Sequence, residues 1–225
     1  MWFFSKKASV PPQNGTLTIR FLWNCKDETL WKKAHAHYYE ILKREQAILD
    51  RRMETLNRAN VQKLPIEKFY AFLHDEYFVW KYTQKNWLAS NLKNLEQYTT
   101  ENRMHELEAI RQDLFRANHS NVQECLRIVT RIRGLGVAGG SGLLSILFPE
   151  DFGVLDQFVV KSLLKVDSLP EHTILESMNP KLLTKKDGVV LTTILRRKTK
   201  ELNATFHTNF WTPRKLDMIL WSIER

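Results

Sequence analysis

The sequence predicts an all-α fold, and three observations support it. Apolar residues recur at three- and four-residue steps over most of the chain, which is the period of a helix buried on one face. Threonine, serine or proline stands before many of these runs, and these residues favour helix starts. Strand-like alternation is confined to residues 16–23. Because 43% of the residues are hydrophobic and 11% aromatic, a folded core is expected.

The chain begins with a segment that we interpret as an N-terminal arm, residues 1–25. The turn-forming run Pro11-Pro12-Gln13-Asn14-Gly15 precedes the alternating residues 16–23, which permit a short strand or an extended arm. From residue 26 to about residue 60 the apolar spacing predicts one long helix. Pro65 ends that run and suits the first turn of the next helix, over residues 66–73.

The rest of the chain continues as helices separated by short connections. Caps and apolar spacing predict them at 78–97, 101–116, 120–133, 138–148, 155–166, 171–178, 180–202 and 213–224. The last helix follows Thr212-Pro213, a cap with proline at the first helical position. No repeat or long linker interrupts the chain, so one compact unit and a monomer are the simplest expectations.

Charge and composition limit the function classes. The formal net charge is +9, and residues 181–225 carry ten Lys or Arg against four Asp or Glu. A basic face attracts polyanions, although a solvated helix surface explains the same excess. No apolar stretch approaches the ~20 residues of a membrane span. Two cysteines without metal-ligand spacing predict no disulfide framework, zinc site or iron–sulfur cluster. We expect a cytoplasmic protein with no membrane partner.

The glycine-rich segment after residue 131 carries the chemistry. A helical run through Ile132 meets Gly134-x-Gly136, and the next helix begins at once, so the two helices form a hairpin. Glycines allow positive φ and leave backbone N–H groups open to a phosphate. A dinucleotide loop is excluded because no strand flanks the glycines, and a phosphate-binding Walker loop would need Gly-Lys-Ser or Gly-Lys-Thr. A purely structural turn stays open.

The run from Arg131 to Leu164 resembles the helix-hairpin-helix DNA glycosylase superfamily. Its hairpin would be Ile132-Arg133-Gly134-Leu135-Gly136, and its catalytic aspartate would be Asp156, in Phe152-Gly153-Val154-Leu155-Asp156-Gln157. Arg133 replaces the usual hairpin proline. The resemblance implies a helix-hairpin-helix glycosylase-like region at 116–225, forming one compact unit with a divergent helical region at 26–115.

The resemblance also implies a reaction. Asp156 would stabilise the positive charge that develops on the sugar as the base departs and would orient the attacking water. An ordinary helix cap is the alternative role for this aspartate. Ala138 stands where bifunctional members carry a Schiff-base lysine, so a monofunctional enzyme is implied unless Lys161 or another lysine reaches the site. No cofactor is implied; a monovalent cation at the hairpin carbonyls is the one candidate ion.

Residues around the hairpin and a separate aromatic run complete the predicted site. The predicted DNA-binding residues are Gly134, Gly136, Ala138, Gly139, Arg131 and Arg133. A flipped base needs stacking surfaces, and the predicted pocket residues are Trp80, Tyr82 and Gln157, although a buried core helix is the commoner explanation of such an aromatic run. The predicted extension of the basic footprint comprises Arg196, Arg197, Lys198, Lys200, Arg214 and Lys215.

Three functions follow from these features. The first is a monofunctional DNA glycosylase acting on double-stranded DNA, in base-excision repair or in defence against phage with modified DNA. The second is a helix-hairpin-helix DNA-binding protein without catalysis, which has no use for a carboxylate at position 156. The third is a helical adaptor protein, which predicts no salt-sensitive DNA affinity. No obligate protein partner is predicted.

Overall fold

The computed structural model describes residues 17–223, and every regular element within that range is helical. The predicted all-α class is therefore confirmed. The α-helices in chain order are α1 (Ile19–Leu22), α2 (Glu28–Glu40), α3 (Arg44–Glu54), α4 (Arg58–Gln62), α5 (Ile66–Ala71), α6 (Phe78–Lys81), α7 (Lys85–Thr100), α8 (Met104–Arg116), α9 (Val122–Val129), α10 (Val137–Leu147), α11 (Gln157–Leu164), α12 (His172–Ser177), α13 (Lys185–Phe206) and α14 (Pro213–Ile223).

The described part of the N-terminal arm differs from the expectation. Residues 1–16 lie outside the described range, and within residues 17–23 helix α1 is found where a short strand or an extended arm was expected. The Thr18 hydroxyl accepts a hydrogen bond from the Phe21 N–H at 3.4 Å and caps this helix. Ile19 and Leu22, three residues apart, share one helical face and are both buried. The same apolar spacing that permits a strand therefore also fits one turn of helix.

The long helix predicted over residues 26–60 is three shorter helices. Asp27 caps α2 by accepting from the Thr29 N–H at 2.8 Å, and Asn57 caps α4 by accepting from the Asn60 N–H at 3.2 Å. Helix α3 lies between them and ends at Glu54. The three helices do not share one core: Trp31 on α2 lies in one buried cluster, whereas Met53 on α3 and Val61 on α4 lie in the other. Pro65 precedes α5, as predicted.

A π-helical stretch, Phe72–Tyr77, joins α5 to α6 without a break. Such wide turns insert one extra residue into a helix and often occur near functional sites. Phe72, Leu73 and Tyr77 are buried in this stretch. The stretch sets the direction in which the following residues, through Lys81, leave the helix.

The buried apolar residues form two clusters. The middle of the chain, from Met53 to Phe152, builds one core around α5 to α10. Helices α1 and α2 build the other together with α11 to α14, so both ends of the described chain share a core. In this second core Trp31 packs edge-on against Trp211 at a ring distance of 6.0 Å. The predicted division between residues 115 and 116 falls inside the first core, because α8 packs on α9.

Candidate active site

The predicted hairpin lies between α9 and α10 and is fixed from one side by tyrosines. Gly134 has a φ of +87°, a conformation that favours glycine, and a Cβ there would lie 2.5 Å from the Asn91 carbonyl oxygen. The Tyr82 hydroxyl donates to the Gly134 carbonyl at 2.9 Å. The Tyr98 hydroxyl donates to the Arg131 carbonyl and accepts from the Arg133 N–H, both at 3.2 Å. The turn is therefore rigid.

The predicted phosphate contacts separate into exposed and covered positions. Gly136 is exposed, caps α10 without a side-chain hydrogen bond, and has no heavy atom within 4 Å of the place where a Cβ would lie. Ala138 follows in the first turn and is partly buried. Gly139 is buried, and a Cβ on it would overlap the Tyr82 hydroxyl. Gly136 thus leaves the start of α10 open, whereas Gly139 permits close packing.

The two hairpin arginines already have acidic partners. Arg131 pairs with Asp113 at 2.6 Å while remaining exposed. Arg133 pairs with Glu101 at 3.1 Å, and its guanidinium lies over the Tyr98 ring at 5.4 Å. Arg133 therefore helps to hold the hairpin against α7, and its charge is partly neutralised.

A cavity of about 770 Å³ opens beside the hairpin, and its lining includes residues of α2, α6, α10 and α14. The sequence-predicted residues in its lining are Trp80, Tyr82, Ala138, Asp156 and Gln157. Three helices separate position 80 from position 138 in the sequence, so the fold brings these residues together from distant segments. Cavities of this size accommodate small ligands and cofactors.

Asp156 combines a capping role with access to the cavity. Its Oδ1 accepts hydrogen bonds from the Phe158 N–H at 2.9 Å and the Val159 N–H at 3.2 Å, which caps α11. Its Oδ2 makes no hydrogen bond with any residue of the described range. The neighbouring Leu155 N–H donates to the Ser141 hydroxyl on α10 at 2.9 Å. The carboxylate is held at one oxygen and unpaired at the other.

A buried ionic network forms part of the cavity wall, and this role was not predicted from the sequence. The Arg214 guanidinium pairs with Asp217 at 2.8 Å and with Asp50 at 3.2 Å. Asp50 Oδ1 also accepts from the Trp80 indole at 2.9 Å and the Tyr38 hydroxyl at 2.8 Å. These contacts tie α2, α3, α6 and α14 together at the cavity.

The network reaches the segment before Asp156. The Val154 N–H donates to Asp217 Oδ2 at 2.7 Å. Burial raises the pKa of the Asp217 carboxyl to about 7, against the opposing effects of the Arg214 charge and the Val154 N–H. Because Val154 lies two residues before Asp156, the buried carboxyl helps to fix the backbone that presents Asp156.

Three residues of the predicted basic footprint form hydrogen bonds within the fold, and two of these three are buried. Arg214 is 6% exposed and Lys198 is 3% exposed, so neither guanidinium nor amine is open to a DNA backbone. The Lys198 amine donates to the Trp23 carbonyl at 2.5 Å and to Glu201 at 2.8 Å. Arg196 is partly buried and donates to the Asp151 carbonyl at 2.7 Å. These side chains donate hydrogen bonds within the fold, because tertiary packing places acceptors from distant segments beside them.

Lys81 is a cavity residue that sequence reasoning missed. It ends α6, between Trp80 and Tyr82, and lines the same cavity as Asp156. A cavity position cannot be read from an aromatic run that contains an ordinary lysine. The one sequence feature that pointed to Lys81 was its position between Trp80 and Tyr82, two of the predicted pocket residues.

Comparison with known proteins does not assign the chain to a family: no family description, curated protein or solved structure matches it. Within residues 17–223, no group of three His, Cys, Asp or Glu side chains is arranged to hold a metal ion. No helix in that range is both long and apolar enough to cross a membrane.

Proposed function

We propose that this chain is a DNA glycosylase of the helix-hairpin-helix type. It would bind double-stranded DNA, flip one damaged or modified base into the cavity and hydrolyse the N-glycosidic bond, leaving an abasic site. The observation that carries the proposal is the unpaired Asp156 Oδ2 on a cavity whose walls include Trp80 and Tyr82. The reaction takes place in base-excision repair or in defence against phage with modified DNA.

Asp156 supplies the charge that this reaction needs. As the base leaves, positive charge grows on the sugar, and a fixed carboxylate beside it lowers the barrier. Hydrogen bonds from two backbone N–H groups orient the carboxylate before the substrate arrives. Its unpaired oxygen can also accept a proton from the attacking water. The proposal assigns water as the nucleophile, since position 138, where the resembled bifunctional enzymes carry a lysine, is alanine here.

The aromatic walls suit a base that has left the duplex. Unstacking costs a few kcal/mol, and a rigid aromatic surface offsets part of that cost. Trp80 is held by its hydrogen bond to Asp50, and Tyr82 by its bond to the Gly134 carbonyl. Gln157 adds an amide that can bond with a base edge. The surface is therefore preorganised and needs little ordering when the base binds.

The hairpin would hold the DNA backbone. The start of α10 presents N–H groups behind the exposed Gly136, and helix N-termini bind phosphates. The net charge of +9 supports attraction to DNA, with affinity falling as salt rises. Ala138 lies on the same first turn and also lines the cavity. A phosphate at the hairpin and a base in the cavity would thus belong to adjacent parts of one substrate.

The decisive test is base release from duplexes carrying a panel of lesions and modified bases, followed by alkali to cleave abasic sites. We expect alkali-dependent cleavage with the unaltered protein and none with Asp156→Asn. Asn caps helices as well as Asp does, so this variant keeps the fold. Asp167→Asn, at an exposed side chain paired with Arg20, is the matched control and should retain activity.

A second outcome would favour the non-catalytic function. If Asp156→Asn and the unaltered protein bind duplex DNA with equal, salt-sensitive affinity and neither releases a base, the chain is a helix-hairpin-helix DNA-binding protein. If neither protein binds DNA, both functions are wrong. Electrophoretic mobility and released-base chromatography distinguish the three results.

A further inference from the structure

Ser141 lies on α10 and is bonded to the segment that carries Asp156. Its hydroxyl oxygen accepts a hydrogen bond from the Leu155 N–H at 2.9 Å, and its O–H donates to the Ala138 carbonyl at 3.2 Å. Ala138 stands in the first turn of α10, directly after the hairpin, and lines the cavity. One side chain therefore joins the start of the hairpin's second helix to the residue before Asp156.

The bond between Ser141 and Leu155 lies in the interior of the protein. Ser141 is 1% exposed and Leu155 is fully buried, so the Leu155 N–H has no access to bulk water. A buried N–H group that loses its acceptor is destabilised, and the backbone shifts towards another partner. Because Leu155 directly precedes Asp156, such a shift also displaces the Asp156 carboxylate.

The same segment has a second anchor, on α14. The Val154 N–H donates to Asp217 Oδ2 at 2.7 Å, and a Cβ at Gly153 would lie 2.6 Å from the Pro213 carbonyl oxygen. This close contact remains when the contact with α10 is removed, so we expect Ser141→Ala to fold. The two anchors differ in what they connect. The bond to Asp217 leads to the buried ionic network, whereas the bond to Ser141 leads to the hairpin.

Ser145, one turn later on α10, serves as a comparison for Ser141. It is fully buried, and its hydroxyl donates to the Gly142 carbonyl of the same helix at 2.8 Å. Within residues 17–223 its hydroxyl accepts no hydrogen bond. Ser141 makes the equivalent bond within the helix and in addition accepts the N–H of another segment. The difference between the two serines is therefore the contact with Leu155.

We infer that Ser141 is a positioning residue for Asp156: it fixes the carboxylate relative to the start of α10, where a phosphate of the substrate would bind. The inference rests on the proposed function as far as base release is concerned. Ser141 is too buried to contact the substrate, so it acts through Asp156. Exact placement matters because a displacement of about 1 Å can cost on the order of 100-fold in rate.

The test measures DNA binding and base release separately, in single-turnover reactions with the protein in excess over a lesion duplex. Ser141→Ala should lower the rate constant of base release by about 10- to 100-fold. It should leave the Kd for the duplex unchanged, because the N–H groups of the hairpin remain. Ser145→Ala, which removes a hydroxyl from the same helix, should release base at the unaltered rate. An unaltered rate in Ser141→Ala, or an equal loss in Ser145→Ala, would overturn the inference.

Amide hydrogen exchange gives a readout that does not depend on activity. The Phe158 and Val159 N–H groups donate to Asp156 Oδ1, so their protection reports the placement of the carboxylate. Both groups should exchange faster in Ser141→Ala than in the unaltered protein, and Ser145→Ala should leave their exchange as it is. Unchanged exchange at both groups in Ser141→Ala would mean that Asp156 keeps its place without the Ser141 hydroxyl, and the inference would be rejected.

A second substitution keeps the test decisive if Ser141→Ala does not fold. Ser141→Cys places a thiol where the hydroxyl was, and a thiol is a weak hydrogen-bond acceptor. This variant fills the same site, so it should fold and release base more slowly than the unaltered protein. Base release by Ser141→Cys at the unaltered rate would show that the acceptor is not needed.

The two readouts separate failure of the inference from failure of the proposed function. If the unaltered protein releases no base from any lesion, the proposed function is wrong, while faster exchange in Ser141→Ala still supports the positioning of the Asp156 carboxylate by Ser141. If the unaltered protein and Ser141→Ala release base equally fast, the glycosylase stands and the role of Ser141 is rejected.

Discussion

The hydroxyl of Tyr82 donates a hydrogen bond to the carbonyl oxygen of Gly134 at 2.9 Å, across 52 residues of sequence. This bond joins the cavity wall to the hairpin turn. The same hydroxyl fills the space that a side chain at position 139 would need. The geometry of the hairpin and the placement of an aromatic cavity residue therefore depend on one another.

Gly139→Ala should destabilise the protein by about 1–3 kcal/mol, because the new methyl group overlaps the Tyr82 hydroxyl in a closely packed interior. Tyr82→Phe removes the hydroxyl, so the double variant should lose less stability than the two single losses added together. Denaturant unfolding of the unaltered protein, the two single variants and the double variant measures the coupling energy between positions 139 and 82. Gly136→Ala is the control: nothing lies within 4 Å, and the loss should stay below about 1 kcal/mol. Strictly additive losses would contradict the overlap.

Substitutions of Asp156 should affect the stability of the protein and its base-release activity differently. Asp156→Ala removes the cap of α11 and should cost about 0.5–2 kcal/mol, whereas Asp156→Asn should change stability little because Asn caps equally well. Thermal unfolding measures both. Equal destabilisation by the two substitutions would mean that the negative charge, and not the hydrogen bond to Phe158, stabilises the helix.

Arg214 should be one of the most sensitive positions in the fold. Arg214→Met leaves the carboxylates of Asp50 and Asp217 buried without their cation, and removal of one partner from a buried ion pair costs about 3–5 kcal/mol. The matched control is Arg197→Met, whose pair with Glu171 is partly exposed and should contribute less than about 1 kcal/mol. Urea denaturation compares the two. Similar losses at both positions would contradict the importance of the network.

His35 should make stability fall on the acid side. Burial first, and then the charges of Lys215 and Arg214, lower the pKa of the His35 imidazole to about 4 from its ordinary 6.5. Between these values the unfolded chain binds a proton that the folded chain does not, so the free energy of unfolding decreases as pH falls. His35→Phe keeps the ring contacts with Tyr39 and should flatten this slope.

Unfolding curves recorded at several pH values between 6.5 and 4 check the prediction. His105→Gln, at an exposed position on α8, serves as the control and should leave the slope as it is. A slope unchanged in His35→Phe would show that other groups cause the acid instability.

Much of the helical fold was predictable because its signals are local. Pro65 precedes α5 and Pro213 begins α14 as predicted, since proline and its neighbours restrict the backbone wherever they occur. The breaks at Thr55 and before α3 were missed because the apolar period continues through them. Helix α1 was predicted as a short strand or an extended arm, because a segment this short carries too few residues to separate the helical period from the strand period.

The candidate site was predictable only where one segment carried a local feature. The glycine hairpin and the Asp156 cap are local, and both occur where expected. The contribution of Arg214 depends on Asp50, which lies 164 residues earlier in the chain. Lys81 gains its position from Gly142 on another helix. Such partners are set by tertiary packing, which no window of sequence contains.

The shared core of α1, α2 and α11 to α14 also has a consequence for synthesis on the ribosome. The middle core, from Met53 to Phe152, is contiguous and can fold as soon as it emerges. Trp31 can pack only after Trp211, its partner in a segment synthesised much later, has emerged. Until the segment that contains Trp211 has been synthesised, the apolar face of α2 stays uncovered, which is the condition under which nascent chains recruit chaperones. We therefore expect ribosome-bound chains to resist proteolysis in the middle segment first, and around Trp31 only after α14 has emerged.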